Sequence, residues 1–339
     1  MLKDISRRLL GMLETLVLAS IVCFAVLRVL PGDPARLIVG PLAGDSALKA
    51  VREQLGIDKP IYVQYVDYVR GFVAGEWGYS YSNGATVSAV LGSRLPATIE
   101  LATYAFIFAL VFAIIVATLA TYYKGFARAF AKGVSLVGLG TPPFWLALIL
   151  LLVFSIGLGV LPGPSGRLSS FLQPPAQITG FYTVDALLTG NVVVFSDAFA
   201  HLIAPAISLA VVPWAFLTRL LTANIVDSAS APYSIVVRSK GVSSWKTHTR
   251  HVLHNSLLPT ISSSGVIFAT LITGSVLIEQ MFDWPGIGQV LVEGIQRQDF
   301  AVVQTFILLS AVIYVVANLV VDLVAEFADP RLRLQNARN

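Results

Sequence analysis

The chain has 339 residues, of which 56% are hydrophobic and only 12% charged, about half the charged share of an ordinary water-soluble domain. So few charges cannot clothe a water-exposed surface, which excludes a soluble enzyme or nucleic-acid binder and points to a polytopic, all-α membrane protein whose formal net charge of +4 reads as topology. A single cysteine, Cys23, excludes a disulfide framework and a cysteine-based metal cluster.

Apolar runs of roughly 20 residues or more, enough to cross about 30 Å of hydrocarbon, predict six spans at 9–30, 99–122, 134–161, 199–223, 257–278 and 302–327. The first follows Lys3, Arg7 and Arg8 in the manner of a secretory leader. Its apolar core is too long for one and no small-residue cleavage site follows, so it is expected to stay as an anchor. Lys124, Arg128 and Lys132, the stretch from Arg219 to Arg250, and the tail with Arg331, Arg333 and Arg338 fall on the same side as the basic N-terminus. That side is predicted to be cytoplasmic, with both termini there. Glu14, Arg28, Arg219 and Asp322 lie near predicted span ends, where long side chains reach the interface. No span carries a chain of buried ionisable residues, which argues against a proton-relay or ion-coupled carrier.

Between the first two spans, residues 31–94 predict a small external helical subdomain. Asp45 or Ser46 caps one helix that stops at Gly56, and a second begins at Asp58 with Pro60 in its first turn and carries Tyr62, Tyr65, Val66 and Val69. Trp77, Tyr79 and Tyr81 beyond it suit either a partner surface or the lipid interface. Residues 162–197, rich in Pro, Gly and Ser, predict an external loop with at most short helices. Pro142, Pro143, Pro205 and Pro213 predict kinks inside the third and fourth spans.

After span four, Ser230 and Pro232 suit a helix start. Tyr233, Val236 and Val237 recur at helical spacing before Lys240 and Gly241 end the turn. A second amphipathic element begins near Ser243, with Trp245, Thr249 and Val252 on one face. These helices, flanked by Arg238, Lys240, Lys246 and Arg250, suit either an anionic membrane surface or a groove in another protein. His248, His251 and His254 recur every three residues. That spacing sweeps too wide an arc for one ion, and no carboxylate completes a shell, so a metal site is not expected. There is no G-x-x-x-x-G-K-[ST] loop, H-E-x-x-H or G-x-S-x-G motif, and the run Ser262 to Ser264 with Gly265 reads as helix packing rather than hydrolase chemistry.

Several short motifs occur in a fixed order: Leu30-Pro31-Gly32-Asp33-Pro34; Leu55-Gly56-Ile57-Asp58-Lys59-Pro60 with Gln64-Tyr65; Arg94-Leu95-Pro96-Ala97-Thr98-Ile99-Glu100-Leu101; and Pro143-Phe144-Trp145. They continue with Arg250-His251-Val252-Leu253-His254-Asn255-Ser256-Leu257-Leu258-Pro259, Trp284-Pro285-Gly286-Ile287-Gly288, Asn318-Leu319-Val320-Val321-Asp322-Leu323 and Asp329-Pro330-Arg331. Together the set resembles, nearly end to end, the first permease subunit of the oligopeptide, dipeptide and nickel type of ABC importer.

The resemblance implies a type I importer permease of a bacterial or archaeal plasma membrane. Its divisions would be an N-terminal span (1–30), an external subdomain (31–94), a five-helix core (95–327) and a cytoplasmic tail (328–339). Implied partners are a second, similar permease, two cytoplasmic ATPase subunits that carry the ATP and Mg, and an external substrate-binding protein. No cofactor is expected on this chain and no nucleic acid among its partners. Residues 231–250 look like the coupling element that docks on the ATPase, with Pro232, Tyr233, Val236, Val237, Arg238, Lys240, Gly241, Trp245 and His251 as its candidate residues. The stretch departs from the family's usual Asp-Tyr-x-Arg start, with Pro232 before Tyr233 and Ile235, Val236, Val237 and Ser239 in place of basic and small residues. Tyr65, Trp77, Trp284, Pro285 and Gly286 are expected at the outer gate or the binding-protein contact. Di- and oligopeptides are the leading cargo class, with nickel complexes, haem, glutathione, antimicrobial peptides and sugars also open. A secondary carrier or scaffold without ATPase partners is the alternative.

Overall fold

The computed structural model describes residues 2–29, 35, 39, 44–123 and 125–328. The Leu30 to Pro34 motif, Lys124, the Asp329-Pro330-Arg331 motif and the tail from 329 onward lie outside the described residues. The chain divides into two units, Met1–Leu95 with Gly286–Val315, and Pro96–Pro285 with Val316–Asn339.

The first unit contains α1 (Leu2–Val29), α2 (Asp45–Leu55), α3 (Ile61–Ala74), a minimal hairpin of β1 (Tyr79–Ser80) and β2 (Ala85–Thr86), the opening of α4 (Val87–Tyr122), α13 (Ile287–Gln296) and the first part of α14 (Phe300–Ala328). The predicted helix pair is present, with shifted starts. Gly44 occupies the N-cap of α2, so Asp45 lies inside the first turn, where its negative charge interacts favourably with the positive end of the helix dipole. Gly56 ends α2 in the left-handed region (φ 64°), and Gly56 N–H and Ile57 N–H donate to the Glu53 and Arg52 carbonyls. That cap and the turn closed by Lys59 N–H on Gly56 occupy residues 56–59, so α3 begins at Ile61 with Pro60 as its N-cap, later than Asp58. The hairpin was not expected from the sequence. It is antiparallel, pairing Tyr79 with Thr86 and Ser80 with Ala85. Two residues per strand cannot hold it alone. Asp299 does so by accepting from Ser80 Oγ (2.7 Å) and Ser82 Oγ (2.8 Å). Against α1, Tyr65 of α3 shares a hydrogen bond with Ser20 Oγ (2.8 Å) and meets Phe24 edge-on with ring centroids 5.5 Å apart.

The second unit is the helical body. The rest of α4 leads to α5 (Phe126–Gly140), then to α6 (Pro143–Leu150), which continues as a π-helical stretch, Leu151–Gly157. After a long loop come α7 (Tyr182–Leu188) and α8 (Val192–Ser230), 39 residues that run unbroken through Pro205 and Pro213. Next are α9 (Pro232–Ser239), α10 (Ser244–Lys246) with a second π-helical stretch (Thr247–Val252), α11 (Leu253–Gly274), α12 (Val276–Met281) and the end of α14. Small residues let the long helices approach. Ala131, Ser135 and Gly138, at helical spacing, are the buried residues of α5, and a Cβ on Gly138 would lie 2.7 Å from Ala215 Cβ of α8. A Cβ on Gly265 would lie 2.8 Å from Val321 Cβ of α14, so Gly265 of α11 is a close-packing position.

Among the described residues, Val87–Tyr122, Val192–Ser230 and Phe300–Val321 are each long and apolar enough to cross a membrane, and the number rises to five if each of two bent helix pairs counts as one span. The expected span at 134–161 is one of those pairs: its two halves meet at 103°, far sharper than a proline kink, because Pro142 and Pro143 both deny the backbone its helical donors just after Gly140. Residues 9–29 of the first expected span fall within the 28-residue helix α1, Leu2–Val29. The element expected from Ser243 is not a free-standing helix either. Lys246, Thr247, Val252 and Leu253 all keep right-handed helical backbone, so α10 runs through its π-helical turn into α11.

Candidate functional sites in the helical unit

The basic stretch after α8 folds around local backbone signals. Ala231 turns the chain out of α8 in extended conformation, Pro232 opens α9 from its first position, and Gly241 (φ 76°) closes it, its N–H donating to the Arg238 carbonyl. The apolar residues of this short helix do not share one face. Tyr233 and Val237 are half-buried and Ser234 fully buried, whereas Ile235 (64% exposed) and Val236 (52%) project outward beside Pro232, Arg238, Lys240 and Gly241. Trp245 is also exposed, but one edge of its ring rests on Tyr122 at the end of α4, with centroids 4.8 Å apart.

Behind this surface the π-helical stretch is anchored twice. His248 is buried, its Nε2 lying 3.1 Å from Thr121 Oγ1 and 3.2 Å from the Thr118 carbonyl of α4. Val252 is fully buried in a cluster with Ala117, Leu221 and Ile225. An apolar, basic-edged surface is thus attached through rigid contacts to α4 and α8. His251 is half-buried and His254 exposed, so the three histidines do not converge on one point. Among the described residues no group of three His, Cys, Asp or Glu side chains could hold a metal ion.

Towards the other end of α4 lies a cluster of charges that the sequence reading missed. Glu100, placed at the start of the second predicted span, is 1% exposed and accepts from Arg167 Nη2, from Thr183 N–H (2.9 Å) and from Thr183 Oγ1 (2.6 Å). The Arg167 guanidinium also donates to the Gly180 carbonyl (2.8 Å) and sits 3.6 Å above the Tyr182 ring. Glu279, fully buried, accepts from Thr98 Oγ1 (2.8 Å) and Ser275 Oγ (2.7 Å). Buried ionisable groups that the sequence reading did not single out are therefore present near span ends, and the Glu100–Arg167 pair holds the loop that precedes α7. Asp185 finishes that loop by accepting from the N–H groups of Ile178, Thr179 and Gly180 and from Thr179 Oγ1. Burial alone would raise its pKa, but these four donors outweigh burial and hold the carboxyl below its ordinary value.

Of the residues expected at the outer face, Trp284 is 1% exposed and donates its indole N–H to the Ala97 carbonyl (2.9 Å), so it is a core residue that offers no surface. Pro285 beside it is half-buried. In the first unit Gly286 is buried, Tyr65 faces α1 as described, and Trp77 is half-buried, stacked on Phe72 and donating to the Phe72 carbonyl (3.1 Å).

Two family models match the chain. One described as "Binding-protein-dependent transport system inner membrane component" covers residues 109–334, and one described as "Binding-prot-dependent transport system membrane comp, N-term" covers residues 1–102. The chain is 38% identical over 339 residues to the di/tripeptide transport system permease protein DppB of Pseudomonas aeruginosa (strain UCBPP-PA14), covering 99% of this chain and all (100%) of that one. It is 36% identical over 327 residues to the probable D,D-dipeptide transport system permease protein DdpB of Escherichia coli (strain K12), covering 96% of each. To the glutathione transport system permease protein GsiC of the same strain it is 31% identical over 334 residues, 98% of this chain and 99% of that one. The chain belongs to the binding-protein-dependent ABC importer permeases of the oligopeptide, dipeptide and nickel type. It is a multi-pass membrane subunit of such an importer, and the carrier and scaffold alternatives are not favoured.

Proposed function

We propose that this chain forms half of the translocation path of an ATP-driven importer for di- or oligopeptides. The cargo reading rests on one observation: the near-full-length relatives above carry names for dipeptide, di/tripeptide and glutathione transport, and all of these cargoes are short peptides. In this reading α1 supplies a sixth crossing, both termini are cytoplasmic, and the helices between α1 and α4 form an external subdomain that meets the binding protein. A second permease completes the path. Two ATPase subunits carry the ATP and Mg, and this chain binds no cofactor.

Residues 232–250 act as the coupling element. The exposed Ile235, Val236 and Trp245 fit an apolar groove in the ATPase, with Arg238 and Lys240 at its rim, and His248 and Val252 carry displacement of α9 into α4 and α8. ATP binding draws the two ATPases together and rocks the helices outward; hydrolysis reverses the motion. The test is Val236→Asp in the assembled transporter. Its side chain is exposed, so folding survives. Uptake of a labelled dipeptide should fall at least tenfold and ATP hydrolysis should stop responding to peptide-loaded binding protein, since a desolvated, unpaired charge costs several kcal/mol. Unchanged uptake removes the coupling assignment, and uptake of free amino acids in preference to dipeptides removes the cargo assignment.

A further inference from the structure

The C-terminal turns of α4, one face of α5 from Arg128 to Leu139 and the C-terminal part of α8 line a groove that the function above does not use. Its volume is about 670 Å³; Leu136, Leu139 and Val226 contribute apolar walls, and Arg128, Lys132 and Arg219 border it, with Asp227 the only acidic group among the described residues that line it. None of these four charged side chains pairs with another described residue, and all four are exposed. Three unpaired cations against one carboxylate leave the rim with a net positive charge.

Two observations define what fits. The volume is many times that of a small inorganic anion, and most of its wall is hydrocarbon, so a bare phosphate would satisfy the rim and leave the apolar part empty. Beside the rim, Tyr123 (54% exposed), Phe126 (84%) and Phe130 (54%) project outward, and the two phenylalanine rings stack with centroids 6.3 Å apart. Exposed aromatic rings next to unpaired basic residues are the composition of a membrane–water interface. A ligand with an anionic head and a long apolar tail matches both halves of the groove.

We propose that this groove is a binding site for one anionic phospholipid. Its phosphate lies among Arg128, Lys132 and Arg219, and one acyl chain runs along Leu136 and Leu139. Basic pockets between membrane helices are suited to such headgroups, and attraction to an exposed rim weakens as salt rises.

The experiment uses the assembled transporter reconstituted in phosphatidylcholine vesicles containing phosphatidylglycerol, then extracted and weighed by native mass spectrometry. One phosphatidylglycerol should remain per copy of this chain, with phosphatidylcholine lost. The triple variant Arg128→Gln, Lys132→Gln, Arg219→Gln should lower retention on the order of a hundredfold. Asp227→Asn should raise it, which keeps the proposal testable even where the triple variant fails to assemble. Equal retention of the two lipids, full retention by the triple variant, lower retention by Asp227→Asn, or displacement of the lipid by inorganic phosphate would overturn the proposal. So would a photo-crosslinker at Leu136 that captures the second permease instead of lipid.

Discussion

Glu100 and Arg167, 67 residues apart, form an ion pair almost wholly removed from water, with side chains 1% and 7% exposed. Among the described residues neither charge has a second charged partner, so each depends on the other. Glu100→Ala strands the guanidinium and should destabilise the helical unit by about 3–5 kcal/mol. The double variant Glu100→Gln, Arg167→Met removes both charges at similar volume and should lose less. Thermal unfolding of the purified transporter compares the two, and a double variant as damaged as the single one would refute the pairing argument.

Asp185 supports a prediction in pH. Its pKa is lower in the fold than the ordinary 3.8, so the unfolded chain takes up the proton first as pH falls. The stabilisation is therefore complete above that ordinary value and is lost as pH drops through the lower folded value. The difference in melting temperature between the native chain and Asp185→Asn should be constant from neutrality down to mildly acidic pH and shrink only under strongly acidic conditions. A gap that ignores pH throughout would show that the Asp185 carboxylate does not hold this loop.

The α5–α8 approach can be tested with two glycines of one helix. A Cβ on Gly138 meets Ala215 Cβ at 2.7 Å, while a Cβ on Gly133 meets nothing within 4 Å. Gly138→Ala should cost about 1–3 kcal/mol through overpacking, whereas Gly133→Ala should be neutral or gain roughly 0.5–1 kcal/mol from helix propensity. Melting temperatures in the same lipid or detergent give the order directly.

Val252 tests the attachment of the proposed coupling element. Removing two methyl groups from its fully buried site among Ala117, Leu221 and Ile225 should cost about 2 kcal/mol. In the assembled transporter, Val252→Ala should lower the number of peptides moved per ATP hydrolysed more than it lowers hydrolysis itself. An unchanged ratio would mean that force does not pass through this contact.

Elements governed by adjacent residues were legible in the sequence. Pro232 at a helix start and Gly241 past its end are read from the backbone freedom of those residues alone, and α9 runs between them. Gly56 is legible for the same reason. The Glu100–Arg167 pair was not: a lone arginine in a Pro-, Gly- and Ser-rich loop reads as solvated, and only the folded loop brings it to Glu100. Side-chain period also failed in α9, because an eight-residue helix turned by Pro232 exposes Ile235 and Val236 whatever the spacing of Tyr233 and Val237 suggests. The burial of Trp284 was not legible because an aromatic in a Pro-Gly loop looks like a surface residue until its indole N–H finds the Ala97 carbonyl.

From Ala97 to Tyr122, α4 contains neither proline nor glycine, and Glu100 and Thr121 sit on it roughly 30 Å apart at the helical rise per residue. A strut without a joint cannot absorb a push by bending. A shift imposed near Thr121 is therefore passed along the helix towards Glu100, so the loop clasped there by Arg167 is tied mechanically to the His248 contact at the far end of α4.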